Sequence, residues 1–244
     1  EYPTYGSADL RTPAFHAEYE SGSAVTCLTY CGYAIYPGKK PLNGLPATYV
    51  ENDSEADTLE ITLTDPLIGL KIILSYSVFE DYDIITKCVR AVNESTQPID
   101  VQSILSSTTY LFDKNYEFVH LTGAWARERH IQKQPLMNGT MQIDSKRVAS
   151  GHIHSPFLAL ARPWATENQG EVYGYSFVYS GNFIMQAETN QQDVVRVNIG
   201  INPFGFHWLL EPGEVFQAPE VVMTFSNSGF GTMSRRFHRL YRQH

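Results

Sequence analysis

Apolar and polar residues alternate with a period of two along most of this chain. In the clearest run Ile68, Leu70, Ile72, Leu74, Tyr76 and Val78 share one face; Gly69, Lys71, Ser75 and Ser77 occupy the other, with Ile73 the exception. That period is the signature of a strand with one buried face. Glu80-Asp81-Tyr82-Asp83 then reads as a turn, followed by a second strand over 84–92. Asn93-Glu94-Ser95-Thr96-Gln97-Pro98 is another turn, with a third strand from Ile99 onward. Connections this short cannot hold a crossover helix, so the pattern predicts an antiparallel meander. Further strands are expected near 157–160, 172–179, 183–188, 194–199 and 221–225, punctuated by Ser180-Gly181-Asn182 and Asn202-Pro203-Phe204-Gly205. An open antiparallel sheet would leave an apolar face in water, so these strands imply one large, all-β, two-sheet sandwich over residues 1–230.

The C-terminus breaks the alternation. Met233, Phe237, Leu240 and Tyr241 recur at helical spacing, ringed by Arg235, Arg236, Arg239 and Arg242. The spacing predicts a short amphipathic helix over 231–244, with Thr232 or Ser234 placed to cap it. Such a helix packs back on its own domain or leads into a following one.

Composition narrows the picture. With 43% hydrophobic and 18% charged residues the 244-residue chain is globular in type. Its 15 Tyr and 13 Phe suit pleated sheets, and aromatic faces also stack on sugar rings. The net charge of −8 repels phosphate backbones, which argues against a nucleic-acid partner. No apolar run approaches the roughly 18–20 residues that span a bilayer, and no signal-peptide pattern opens the chain. The chain starts at Glu1 rather than Met, as expected of a trimmed or longer protein. Cys27 and Cys31, four apart in an expected strand, would lie about 13 Å apart, too far for a disulfide. With Cys88 they make an odd, sparse set, as in a reducing cytoplasm, where we expect the protein.

Few motifs point to chemistry. In Gly123-Ala124-Trp125-Ala126-Arg127-Glu128-Arg129-His130 the carboxylate sits between two arginines, which would hold it ionised and make it a poor general acid. An ion-pair network is the plain reading of Arg127, Glu128, Arg129 and His130; a sugar or subunit interface that includes Trp125 is the functional one. His152-x-His154 would put two imidazoles on one strand face, yet no third ligand is near in sequence, so no metal is expected. Nucleophile-elbow, dinucleotide and P-loop patterns are absent, and no cofactor is implied. Acidic residues gather in turns such as 51–57 and 80–83, where solvation explains them, so no carboxylate pair suited to glycoside cleavage is recognisable.

Several segments resemble the N-terminal domain of family 36 α-galactosidases of the bacterial melibiase and raffinase type. They begin with Glu1-Tyr2-Pro3-Thr4-Tyr5-Gly6-Ser7 and Gly44-Leu45-Pro46-Ala47-Thr48-Tyr49. Val78-Phe79-Glu80-Asp81-Tyr82-Asp83, the 120–130 segment around Trp125, and Tyr179-Ser180-Gly181-Asn182-Phe183 follow. Gly200-Ile201-Asn202-Pro203-Phe204 and Trp208-Leu209-Leu210-Glu211-Pro212-Gly213-Glu214 come later, so the resemblance runs through nearly the whole chain.

The resemblance implies a β-supersandwich. It also implies a parent enzyme that hydrolyses terminal α-galactosides such as melibiose and raffinose with retention. The family's nucleophile is an aspartate in a Lys-Trp-Asp segment of a following (β/α)8 barrel. No Trp here precedes Asp, so no catalytic residue can be assigned to this chain. What the resemblance leaves for the domain is homo-oligomer assembly, a tetramer in many members, and contact with the parent's barrel. A loop reaching a neighbouring subunit's active-site mouth is also implied. Asn43, Gly44, Leu45, Pro46, Thr48 and Tyr49 are the residues nominated for that contact, with Leu45 expected at an exposed tip between Gly44 and Pro46. An independent carbohydrate-binding module and a mutarotase-type sugar enzyme are the alternatives.

Overall fold

The structure is a computed structural model that describes residues 2–6 and 9–244; Glu1 and Ser7 of the first resembling segment lie outside it. The strands, in chain order, are β1 (Phe15–Tyr19), β2 (Thr29–Pro37), β3 (Asp57–Asp65), β4 (Leu70–Phe79), β5 (Ile84–Asn93), β6 (Ile99–Leu111), β7 (Glu117–Ala124) and β8 (Arg127–Pro135). They continue with β9 (Gly139–Asp144), β10 (His154–Ala161), β11 (Val172–Val178), β12 (Phe183–Thr189), β13 (Val195–Ile201), β14 (Trp208–Leu210), β15 (Val215–Gln217) and β16 (Glu220–Ser226). The helix α1 (Gly229–Gln243) closes the chain.

Among the described residues these strands form two sheets. A six-stranded sheet runs β1-β6-β13-β12-β9, with β14 also on β6; a ten-stranded sheet runs β2-β3-β4-β5-β16-β11-β10-β7-β8, with β15 also on β5. Their inner faces pack on each other. Leu70, Ile72 and Leu74 of β4 meet Ile99, Val101, Ile104 and Leu105 of β6, and Leu158, Leu160, Tyr175 and Phe177 meet Phe183, Met185 and Val197. The alternating run read from sequence is therefore the core face of β4. Val78, its last member, is 42% exposed because the apolar face of the larger sheet continues past the strands that cover it.

The expected three-strand meander is corrected after its second strand. β4 pairs with β5, but β6 belongs to the opposite sheet. Both edges of β5 are already occupied, by β4 on one side and by β15 and β16 on the other. Asn93 shapes the exit: its amide donates to Gln97 O and Leu210 O at 2.7 and 2.8 Å, and its Oδ1 accepts from Ser95.

The helix begins two residues earlier than expected and has no side-chain cap. Thr232 and Ser234 are not needed as caps. The N–H groups of Gly229, Phe230 and Gly231 donate instead to the carbonyls of Gly170, Thr166 and Glu167 at 2.9–3.0 Å. Met233, Phe237 and Leu240 pack on the outer face of the larger sheet against Phe79, Ile84, Ala159 and Val222, while Tyr241 is 43% exposed. Gly174 makes that docking possible, since a Cβ there would lie 2.4 Å from Met233 Sδ. The three cysteines are unpaired, and Cys27 precedes β2 rather than lying in it.

Buried charges fix the irregular segments. Arg196 of β13, almost fully buried, donates to Tyr110 Oη and Thr12 O at 3.0 and 3.1 Å and to Asp9, pinning the N-terminal segment across the smaller sheet. Hydrogen bonds from Arg11, reinforced by Arg196, hold the Asp9 carboxyl well below the usual carboxylate range. Lys87 is different, because no carboxylate meets it. It lies between the sheets, donates to Thr108 O at 3.1 Å and sits 4.9 Å from the Tyr76 ring centroid. Burial lowers its pKa to about 7. Between pH 7 and its ordinary value near 10.5, the unfolded chain therefore holds a proton that the folded chain has released, so Lys87 makes stability rise with pH across that window. Lys87→Met is expected to raise the melting temperature at pH 7 and to lose that rise. Thermal unfolding of both proteins from pH 7 to 10 checks it, and parallel pH profiles would refute it.

Candidate functional site

The segment from Asn43 to Tyr49 is a surface turn anchored by a buried ion pair. Gly44 takes a positive φ of 76°, and the Leu45 N–H donates to Leu42 O at 3.3 Å. Asn43, Gly44 and Pro46 face solvent, whereas Leu45, expected at the exposed tip, is half-buried. Thr48 is buried; its N–H and its hydroxyl both donate to Glu220 Oε1 at 2.8 Å. The other carboxylate oxygen lies 2.8 Å from Lys39 Nζ, which also donates to Thr48 O at 2.6 Å. These two charged side chains are 4% and 1% exposed, so the turn is fastened to the start of β16 inside the protein. Thr48 is thus an anchor. Tyr49 is half-exposed and sets its ring 6.0 Å from that of His244, with its N–H donating to His244 O at 3.3 Å.

The Trp125 segment forms the tip of the β7–β8 hairpin at the far edge of the larger sheet. From β16 to β8 the sheet crosses four strand spacings, about 19 Å at about 4.8 Å each, so the structure does not bring the two nominated regions together. Ala126 and Arg129 have positive φ values of 62° and 61°, and the Ala126 N–H donates to Glu128 Oε1 at 3.0 Å. Gly123 sits in a bulge where a Cβ would lie 2.3 Å from Arg127 O. Every residue of β8 is exposed, and Trp125 is 84% exposed. Among the described residues no ion pair joins Glu128 to Arg127 or Arg129: the carboxylate shapes the turn instead, and the arginines and His130 face solvent. The hairpin is therefore a solvent-exposed edge, with no ion-pair network around Glu128 among the described residues.

The paired-histidine pattern is also rearranged. His152 lies in the turn ahead of β10, so it does not share a strand face with His154. The neighbour of His154 is His120 of β7, with ring centroids 5.6 Å apart. Both Nδ1 atoms are buried without a hydrogen-bond partner, and burial holds both imidazoles below the ordinary histidine pKa. Among the described residues no group of three or more His, Cys, Asp and Glu side chains is arranged to hold a metal ion.

Sequence reading missed two carboxylates that lie on strands rather than in turns. Glu60 accepts from Arg90 Nη2 at 2.5 Å and lies 3.4 Å from Lys40 Nζ, and Glu220 is the buried anchor described above. Both line a cavity of about 30 Å³ on the outer face of the larger sheet. Their signal in sequence is a charge at a strand position, which resembles a solvated face. In that same cavity, burial and then the Glu220 charge push the Cys88 thiol up to about 11. Sequence also missed a cleft of about 600 Å³ between the sheets, walled by Val78, Ile85, Tyr173, Met223 and Phe225.

Residues 1–211 match the model of the "Glycosyl hydrolase family 36 N-terminal domain". The chain belongs to this family. It is 50% identical over 242 residues to α-galactosidase AgaA of Geobacillus stearothermophilus, covering 99% of this chain and 33% of that protein. With α-galactosidase 1 of Pediococcus pentosaceus the identity is 36%, again over a third of the relative. The crystal structure of G. stearothermophilus AgaA in complex with stachyose superposes with a TM-score of 0.97, covering 99% of this chain and 34% of that one. The α-galactosidase of Lactobacillus brevis, 40% identical, gives 0.98 over 100% of this chain and 33% of its own. The family 36 domain described here thus spans about one third of the length of its relatives. The β-supersandwich expected from sequence is the fold of these N-terminal domains.

Lys39 and Glu220 are expected to hold the 43–49 turn together. Removing one member of a buried pair strands the other charge and costs about 3–5 kcal/mol. Lys39→Met should therefore lower stability by that order and speed amide exchange at Thr48, measured by chemical denaturation and hydrogen exchange; unchanged values for both would refute the anchoring role.

Proposed function

We propose that this chain is the non-catalytic N-terminal domain of an α-galactosidase, an enzyme that releases terminal α-galactose from substrates such as melibiose and raffinose. The observation that carries this reading is the 50% identity along 99% of the chain to one third of an α-galactosidase, with a TM-score of 0.97. Relatives crystallised with stachyose and raffinose support the substrate class. The domain's own contribution is assembly and positioning. The exposed hairpin from Trp125 to Pro135 supports a subunit or domain interface, because a long edge strand with both faces in water is a template for a partner. The anchored turn from Asn43 to Tyr49 is the element we assign to a neighbouring active-site mouth. Its crest is exposed at Gly44 and Pro46 with Leu45 half-buried between them, and its root is fixed by the Lys39–Glu220 pair.

A proton-NMR time course tests the division of labour. The 244-residue chain, given melibiose and freshly dissolved α-galactose, is expected to show neither cleavage nor accelerated anomer exchange. The full-length protein should cleave melibiose, with KM altered by Leu45→Ala. Cleavage by the short chain would overturn the non-catalytic reading, and anomer exchange alone would favour a mutarotase-type enzyme. An unchanged KM in the Leu45→Ala protein would remove the turn from the active-site mouth.

A further inference from the structure

The cleft between the two sheets has a definite construction. Val78, Ile85, Met223 and Tyr175 are successive register partners across β4, β5, β16 and β11, so they form one row on the inner face of the larger sheet. In the next row Tyr173 pairs with Phe225, their rings 4.7 Å apart. Thr109 of β6 supplies the opposing wall. Further along the same strands, at Leu70, Ile72, Leu74, Val89 and Ala91, this face is sealed by the smaller sheet, but here Val78, Ile85 and Phe225 remain 41–42% exposed around a space of about 600 Å³.

The polar groups of the cleft are few and placed at its two ends. At the mouth stand Glu80, Asn227 and the Arg236–Asp83 ion pair of 2.7 Å, which ties α1 to the turn after β4. Asp83 holds that turn with a φ of 53°. Glu80 has no ion-pair partner among the described residues. Deeper in, the hydroxyl of Tyr175 is buried beside Thr109 yet makes no well-formed hydrogen bond. A buried hydroxyl without a partner is costly, and it satisfies itself when a ligand or water brings a donor or acceptor.

An aromatic wall open to solvent, a carboxylate without an ion-pair partner, the Asn227 amide, whose Oδ1 accepts from Ser228 Oγ at 3.0 Å, and an unsatisfied hydroxyl inside match a ligand with one apolar face and several hydroxyl groups. We infer that the inter-sheet cleft is a second, non-catalytic binding site for a neutral pyranoside, whose apolar face stacks on Phe225 and Tyr173. Its hydroxyls reach Glu80 and Asn227 at the mouth and Tyr175 within. Volume and lining fall in the ordinary range for small-molecule sites. A purely aliphatic ligand would leave Tyr175 unsatisfied and make no use of Glu80. An anionic sugar is also disfavoured, because Arg236, the one cation lining the cleft among the described residues, is already engaged by Asp83 and Glu80 would repel a second anion.

The choice of a galactoside as probe rests on the enzyme reading above; the cleft itself does not. The test is a titration of the 244-residue chain with methyl α-galactopyranoside, followed by amide chemical shifts, with hexanol titrated in parallel. The expected result is saturable perturbation at Val78, Ile85, Tyr173, Tyr175, Met223, Phe225 and Asn227. Phe225→Ala should weaken binding about tenfold, as removing an aromatic stacking partner does. Glu80→Gln changes only an exposed group, so it keeps the test open if Phe225→Ala does not fold; it should weaken binding too. Tyr33→Ala, on the exposed β2 edge, should leave binding unchanged. No saturable perturbation, perturbation confined to the β2 edge, or equal perturbation by hexanol would each overturn the proposal. Loss of cleft binding in the full-length protein with α-galactosidase activity intact would refute the cleft alone and leave the enzyme reading standing.

Discussion

A sheet of ten strands faces a sheet of six, and the consequences of that mismatch run through the molecule. Apolar area drives the two faces together, but the smaller sheet cannot cover the larger one. Where cover exists, around Leu70, Ile72, Val89, Leu158 and Val197, side chains are closed off from water. At β2 and β8 it is missing. Tyr30, Tyr33 and Ile35 at one edge and Trp125 and Ile131 at the other are more than half exposed. The inter-sheet cleft lies at the boundary between these regimes. On the outer face α1 repeats the situation, sealing Phe79, Ile84 and Val222 and leaving the β2–β5 end to polar residues.

Irregular segments are held by charge rather than by apolar area. Arg196 fixes the N-terminal segment, and Lys39 with Glu220 fixes the turn before β3. Such pairs add little net stability compared with apolar residues of the same shape, but they penalise every arrangement that separates them. A turn that must present Gly44 and Pro46 in one place gains from that selectivity. Lys87 has no such partner and is a liability at neutral pH.

Fold class was legible because alternation survives wherever one face of a strand is buried, as in β4 and in the strands from β10 to β13. It fails where both faces share an environment. β8 reads Arg-Glu-Arg-His-Ile-Gln-Lys-Gln-Pro, polar but for Ile131 and the closing Pro135, because neither face is covered, and so its first half was read as a charged cluster. The exit of the chain from β5 was illegible for another reason: its neighbours β15 and β16 come from more than 120 residues later. The nominated turn was found from Gly44 and Pro46, but its anchor Glu220 lies 172 residues from Thr48. The cleft residues come from five strands, β4, β5, β6, β11 and β16, and carry no local motif. His120 and His154 meet only through strand pairing, which is why His152 was taken for the partner.

In this domain protection should follow cover, and partner and ligand contacts the parts left uncovered. Native-state hydrogen exchange on the dilute 244-residue chain tests this most directly. Core amides of β4, β5, β16 and β11 should exchange only through global unfolding, whereas those of β8 from Ile131 to Gln134 should exchange orders of magnitude faster through local opening. Protection of β8 equal to that of β5 in the monomer would contradict the account, because the edge would then be sealed without a partner.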